Sequence, residues 1–181
     1  MLNKIIILLA TIPAALGLVN KTTISPMPVP SVVSIAPAVS TAPVSVISPD
    51  GKATLTLRKT SNKDLVTYSF TSSAGVSFTR SLGTENSMSI PFNTWSTDNK
   101  YFFVQEENMN QNFFIVVLPN GESININDYF TQKFPDYKLQ EVTGWASPTL
   151  LIVNANTGTA DVSYWFEVTS KTFTRLSNRF N

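Results

Sequence analysis

The sequence contains no cysteine and no histidine. Without cysteine no disulfide can form, so packing alone must stabilise the fold. The two absences together exclude a thiolate nucleophile and a zinc site built on cysteine or histidine. They also exclude the Ser-His and Cys-His arrangements of nucleophilic enzymes. We therefore expect a non-catalytic protein that holds neither a cofactor nor a metal ion.

Charge is also scarce. Charged residues make up 14% of the chain, against about 25% in an ordinary soluble domain. The formal net charge is +1, and Lys and Arg do not gather into a run. Because nucleic-acid binders normally carry a basic patch or stripe, we expect no nucleic-acid partner.

Apolar residues are concentrated at the N-terminus. Lys4 precedes an apolar run over 5–19, which Pro13 interrupts and in which Ala15 and Gly17 supply small residues. This is the pattern of a secretory signal peptide, and the run is shorter than the roughly 20 residues of a spanning helix. We interpret 1–19 as a signal peptide or a short membrane anchor. The predicted location is extracytoplasmic: secreted, periplasmic, or anchored and facing outward.

Proline dominates the next segment. Residues 20–43 carry Pro26, Pro28, Pro30, Pro37 and Pro43 among Ser, Thr, Val and Ala. Each proline lacks a backbone donor and disfavours the helical conformation of the residue before it. This composition therefore predicts an extended linker between the signal segment and a folded body over 44–181.

The body repeats with a period of about 50 residues. Ser48-Pro49-Asp50-Gly51-Lys52 recurs as Ser96-Thr97-Asp98-Asn99-Lys100, and a shorter copy begins at Ala146-Ser147-Pro148. Repeats of this length indicate an array of similar structural units. We place the units at about 44–86, 87–137 and 138–181.

The sequence of each unit predicts a set of strands joined by turns. Asp-Gly and Asn-Gly turns, β-branched residues and aromatic residues predict antiparallel hairpins. The predicted strands are 53–57, 65–70 and 76–82, then 101–104, 113–118 and 122–126, then 150–153, 162–168 and 172–176. The run 113–118 is apolar throughout, which predicts a strand covered on both faces. Residues 127–134 are predicted to form one helical turn capped by Asp128.

The turn sequence carries a resemblance. Ser48–Lys52 matches the SPDGK turn of the WD40-like (PD40) repeat of TolB-type β-propellers residue for residue, and 91–96 resembles the short inner strand that leads into the next such turn. The resemblance covers about 44–178, and the third copy lacks the Asp and Lys. It implies three four-stranded antiparallel blades in an all-β fold, and a rigid protein-docking surface in the cell envelope.

Three blades are too few to close a propeller, which usually has four to eight. Two chains could complete a six-bladed ring as a homodimer, a larger partner could supply the missing blades, or the units could form an open module. A β-sandwich built from the same strands is a further alternative.

Few residues are candidates for a site. Asp50 and Asp98 are expected to bond their own turns, and Trp95 and Trp145 to lie in the core. The candidate ligand-binding residues are Trp165 and Tyr164, of which strand alternation must direct one outward. Carboxylates that could serve a glycosidase are limited to Glu106-Glu107 and the pair Asp161 and Glu167; such an enzyme needs two carboxylates facing each other across a cleft.

The leading functional hypothesis is therefore an exported, non-catalytic docking module with a protein partner in the envelope or extracellular space. The alternative is a secreted carbohydrate-binding or enzyme-accessory domain that uses exposed aromatic side chains.

Overall fold

The computed structural model describes residues 39–176. The predicted signal segment, the linker up to residue 38 and the last five residues lie outside the described residues. The described part is mostly β, with thirteen strands and one helix, and its sheets are antiparallel and not closed.

The first sheet begins inside the stretch predicted as linker. β1 (Val39–Ser40) and β2 (Val44–Ile47) both pair with the same edge of β3 (Thr54–Asn62), and β4 (Leu65–Ser72) and β5 (Ser77–Gly83) follow in order. Pro43, which has no backbone N–H, lies in the break between β1 and β2.

The second sheet has the same order of strands. β6 (Ser87–Ser89) pairs with β7 (Phe102–Glu107), then come β8 (Asn112–Val117) and β9 (Ser123–Asn125). The predicted inner strand over 91–96 is wrong: only an isolated bridge between Trp95 and Phe102 forms there. Pro91 cannot donate to a ladder, and Asn93 directs its side chain to a different sheet, as described below.

A helix, α1 (Ile126–Lys133), replaces the predicted single turn. Its N-cap is Asn125, whose Oδ1 accepts the N–H of Asn127 at 3.1 Å, and not Asp128, which lies in the first turn. Ile126 and Phe130 are fully buried. Their burial stabilises eight residues that would be too short to hold a helix in water alone.

The third sheet follows the helix and is again a simple meander. Its strands are β10 (Lys138–Trp145), β11 (Leu150–Asn156), β12 (Asp161–Glu167) and β13 (Thr172–Arg175). β10 carries register shifts between Leu139 and Glu141 and between Val142 and Gly144.

The core consists of two layers, one on each face of the second sheet. Phe102, Val104, Ile115 and Val117 pack against the first sheet, whereas Phe103, Phe114 and Val116 pack against the third sheet and α1. The prediction that the apolar run around Phe113–Leu118 is covered on both faces is confirmed, since Phe114 to Val117 are all buried. The sheets therefore stack in chain order.

The outer face of the first sheet is mostly polar, with Ile47 and Leu65 as its exposed apolar residues. Leu55, Leu57 and Phe70 face the core, so alternation puts Thr54, Thr56 and Thr71 on the opposite face. Cross-strand rows there run Ser45–Thr56–Thr71–Ser77 and Thr60–Thr67–Ser81. A hydroxyl-covered face can remain in water, as the capping units of repeat proteins do.

Candidate functional site

A large cavity lies where β2, β10 and the segment after β6 approach one another. We call this cavity of about 1100 Å³ the first-strand groove. It is lined by Val46 and Ile47 from β2, by Phe92 and Trp95 from the segment between β6 and β7, and by Gly144 and Trp145 from β10. Its size is in the range of natural binding sites or slightly above it.

The rim of the groove exposes large apolar side chains. Phe92 is 94% exposed and Ile47 is 64% exposed. Trp95 is buried, as predicted. Its ring packs edge-to-face against that of Phe102, with the ring centroids 5.8 Å apart. An exposed Phe and an exposed Ile that line one cavity form the kind of surface that marks an interaction site.

The segment between β6 and β7 is tied to the third sheet. Asn93 Nδ2 donates to the carbonyl of Thr143 at 3.0 Å, and Trp145 Nε1 donates to the carbonyl of Thr94 at 3.0 Å. Gly144, at φ +141°, permits this approach, since a Cβ there would lie 2.6 Å from Cβ of Asn93. One wall of the groove is therefore rigidly placed.

The two repeated turns border the groove and have the same bonding. Ser48 Oγ donates to Asp50 Oδ1 at 2.7 Å and accepts the N–H of Ala53, while the Lys52 N–H also donates to Asp50 Oδ1. The second turn repeats each of these bonds at Ser96, Asp98 and Lys100. The prediction that both aspartates bond their own turns is confirmed.

The two turns also bond to each other. Asn99 Nδ2 donates to Asp50 Oδ1 at 2.9 Å. The Lys52 N–H, the Ser48 hydroxyl and the Asn99 amide hold the pKa of Asp50 well below its usual range. Partial burial opposes the shift at Asp98, but bonds from Ser96 and Lys100 still lower its pKa. Asp50 is thus an anion, and among residues 39–176 it is the one charged residue that lines the groove.

The sequence-predicted ligand residues do not lie in the groove. Trp165, on β12, is 40% exposed on the outer face of the third sheet, with Ile152 and Thr174 beside it in register. Tyr164 lies in the core at 4% exposure, and its ring packs against Phe134 at 4.8 Å, so it is not available to a ligand. Burial raises the pKa of its phenol.

The candidate carboxylates are separated and have structural partners. Glu106 is buried with its Oε2 2.8 Å from Arg80 Nε, a contact too poorly aligned to be a hydrogen bond. Asp161 accepts a bond from Asn156, and Glu167 accepts bonds from Thr149 and Thr169. Asp161 and Glu167 lie at opposite ends of β12, about 20 Å apart at ordinary strand rise.

Sequence reasoning missed the groove residues Ile47, Phe92 and Gly144. A signal was present at Phe92, an aromatic residue directly after Pro91, which cannot donate to a strand ladder. Only the meeting of three sheets, however, places it in the same groove as Ile47.

Comparison of the chain with protein-family models, with curated proteins and with solved structures found no match. The resemblance to TolB-type repeats therefore rests on the turn and strand pattern alone. Within residues 39–176 no helix is long and apolar enough to cross a membrane. In the same range no three Asp or Glu side chains cluster as a metal site would require.

Proposed function

We propose that this chain is an exported, non-catalytic module that docks a protein partner of the cell envelope or extracellular space in the first-strand groove. The observation that carries the proposal is the pair of exposed apolar side chains at the groove rim, Phe92 and Ile47. Aromatic anchors next to a cavity supply most of the binding energy in many interfaces.

The proposal includes a propeller-like arrangement that stays open. The meander order of each sheet and the stacking in chain order support three consecutive blades. A six-bladed ring of two chains would bury the hydroxyl rows of the first sheet, and each buried hydroxyl that lacks a partner costs about 1–3 kcal/mol. We therefore favour an open module over the dimeric ring.

Solution mass tests the open form. Light scattering coupled to size-exclusion chromatography of the exported chain is expected to report a monomer. A stable dimer that dissociates when Thr56 and Thr71 are both replaced by Lys would instead favour ring closure through the first sheet.

Docking is tested by photo-crosslinking in the producing cells. A benzophenone side chain replaces Phe92 in one variant and Thr79, on the polar outer face, in a matched control. We expect one partner to be crosslinked from position 92 and not from position 79. With that partner purified, Phe92→Ser is expected to weaken binding at least tenfold. Equal labelling from both positions, or unchanged affinity, would contradict groove docking.

Export has its own test. A protein carrying residues 1–19 should be accessible to external protease or recovered outside the cytoplasm, and deletion of 1–19 should retain it inside. Cytoplasmic recovery of the full chain would contradict this part of the proposal.

Carbohydrate binding is the second candidate function, and Trp165 is the observation that favours it. Its indole is 40% exposed, and the neighbouring row of the same face holds the bonded pair Ser163 and Asn154. A glycan array probed with the wild type, Trp165→Ala and Phe92→Ser separates the two functions. Glycan binding lost only in Trp165→Ala would favour this candidate.

A further inference from the structure

We infer that the partner binds as an added β-strand on the free edge of β2, an inference that rests on the proposed docking in the first-strand groove. Ser48 N–H bonds to the carbonyl of Ala53, which makes that pair a hydrogen-bonded one. Bonded and non-bonded pairs alternate along an antiparallel ladder. Val46 and Val44 therefore turn their backbone groups to β3.

Ser45 and Ile47 turn their backbone N–H and C=O groups the other way, towards the edge of β2 that does not face β3, and Ile47 also lines the groove. Thr54, the residue opposite Ile47, confirms this phase because its carbonyl bonds to Ser73 on the far side of β3. Within residues 39–176 no backbone group bonds to the N–H or C=O of Ser45 or Ile47. An edge with unpaired groups and exposed apolar side chains is a template for another strand.

The other first strands are poorer templates. β6 has three residues only. β10 has two register shifts, which twist an edge away from regular pairing, and its Thr143 carbonyl already accepts the Asn93 amide. β2 has an unbroken register with β3 over all four residues. Among the first strands of the three sheets, strand addition is therefore expected at β2.

The limits of β2 and its surroundings define the partner chemically. Pro43 and Pro49 end the template, so an extended segment of about four to five residues fits it. Phe92 and Ile47 favour apolar side chains on the groove side of that segment. Asp50 stays ionised beside the end of β2. Its Oδ2 lies 3.4 Å from Nζ of Lys52, but that lysine side chain is 82% exposed, so water screens the pair and a partner cation can compete for the carboxylate. A cationic residue in the partner segment complements that charge.

The probe is a synthetic hexapeptide of alternating Val and Thr, with Lys at one end and both termini blocked. Titration into the uniformly ¹⁵N-labelled chain is followed by amide NMR. We expect the Ser45 and Ile47 amides to shift and to become protected from hydrogen exchange, while Val44 and Val46 change little. No change at Ser45 and Ile47 up to millimolar peptide overturns the inference.

Matched variants test the backbone contact. Ser45→Pro removes the outward N–H. Ser45→Ala keeps that N–H, and both variants lose the hydrogen bond between the Ser45 and Thr56 hydroxyls, so Ser45→Ala is the matched control. Proline is tolerated on an edge strand where its nitrogen faces outward. Binding of the peptide should fall about tenfold in Ser45→Pro and stay near wild type in Ser45→Ala. Equal affinity of the two variants overturns strand addition.

A second pair of variants tests the charge. Asp50→Asn keeps the acceptor of the turn but removes the anion, and Asp98→Asn does the same in the equivalent turn, outside the groove lining. We expect the lysine peptide to bind Asp50→Asn about threefold more weakly than the wild type and to bind Asp98→Asn as well as the wild type. A peptide with Thr in place of Lys should bind Asp50→Asn and the wild type equally. Equal effects of Asp50→Asn on both peptides overturn the cationic assignment.

The outcomes separate this inference from the proposed function. If the peptide fails while Phe92 still crosslinks a partner, docking stands and strand addition falls. If both fail, the groove is not the docking site.

Discussion

Asn127 allows one quantitative test of how the second sheet is completed. β9 pairs with β8 only at Ile115 to Val117, so among residues 39–176 the start of β8 has no strand neighbour on that edge. Asn127, from α1, fills this place: its Oδ1 accepts the Phe114 N–H and its Nδ2 donates to the Asn112 carbonyl, both at 2.9 Å. One side chain thus replaces a residue of a missing strand.

The cost of Asn127→Ala follows from the two groups left without partners. The Phe114 N–H is buried and would have no other acceptor, at about 1–3 kcal/mol, while the Asn112 carbonyl is nearer to water and adds about 1 kcal/mol. We expect a loss of about 3 kcal/mol in the free energy of unfolding, or about 10 °C in Tm for a domain of this size.

Urea denaturation followed by tryptophan fluorescence measures the loss, and amide hydrogen exchange locates it. Asn120→Ala is the matched control, because Asn120 accepts one backbone N–H in an exposed turn and should cost less than about 1 kcal/mol. The Phe114 amide should exchange faster in Asn127→Ala only. If Asn127→Ala costs no more than Asn120→Ala, the account of α1 as a strand substitute is refuted.

Three further predictions follow from the same structure. Gly144→Ala should lower Tm more than Gly158→Ala, since both have positive φ but only Gly144 faces a close neighbour; equal Tm losses would contradict the close approach. Because the pKa of Asp50 is lowered in the folded state, its contribution to stability is present at neutral pH and is lost as pH falls below about 4. Asp50→Asn should therefore flatten the decline of unfolding free energy between pH 4 and pH 2, and an unchanged decline would contradict it. Arg80→Ala should lower the free energy of unfolding by about 2 kcal/mol, because it leaves the buried Glu106 carboxylate unpaired. If that is the cause, urea denaturation of the double variant Arg80→Ala with Glu106→Gln should show part of the lost stability restored.

Local signals in the sequence predicted the strands well where turn chemistry is strong. Gly51 adopts positive φ, as its Asp-Gly turn predicts, and Asn99 does so at the equivalent position of the second turn. Alternation predicted that one of Trp165 and Tyr164 faces outward, and the structure shows that it is Trp165, with Tyr164 buried. The fold prediction holds at the level of an all-β chain with antiparallel sheets, and the propeller-like arrangement stays a proposal.

Other features had no local signal. The helical stretch after β9 was underestimated, because its eight residues depend on burial of Ile126 and Phe130 between two sheets. The inner strand predicted at 91–96 is reduced to one bridge between Trp95 and Phe102, and the Asn93 side chain and the Thr94 carbonyl also bond to β10. The residue pattern of 91–96 is the same whether the segment forms a full strand or a single bridge, so the sequence could not distinguish these two structures.

Turn positions, strand periodicity and the absence of Cys and His chemistry can thus be read from neighbouring residues, because each depends on backbone conformation or side-chain type alone. The first-strand groove cannot. It exists because Asn93 meets Thr143 and Asp50 meets Asn99, pairs about 50 residues apart in the chain. Such contacts form only when whole sheets stack, and the stacking is set by the summed burial of two core layers rather than by any single segment.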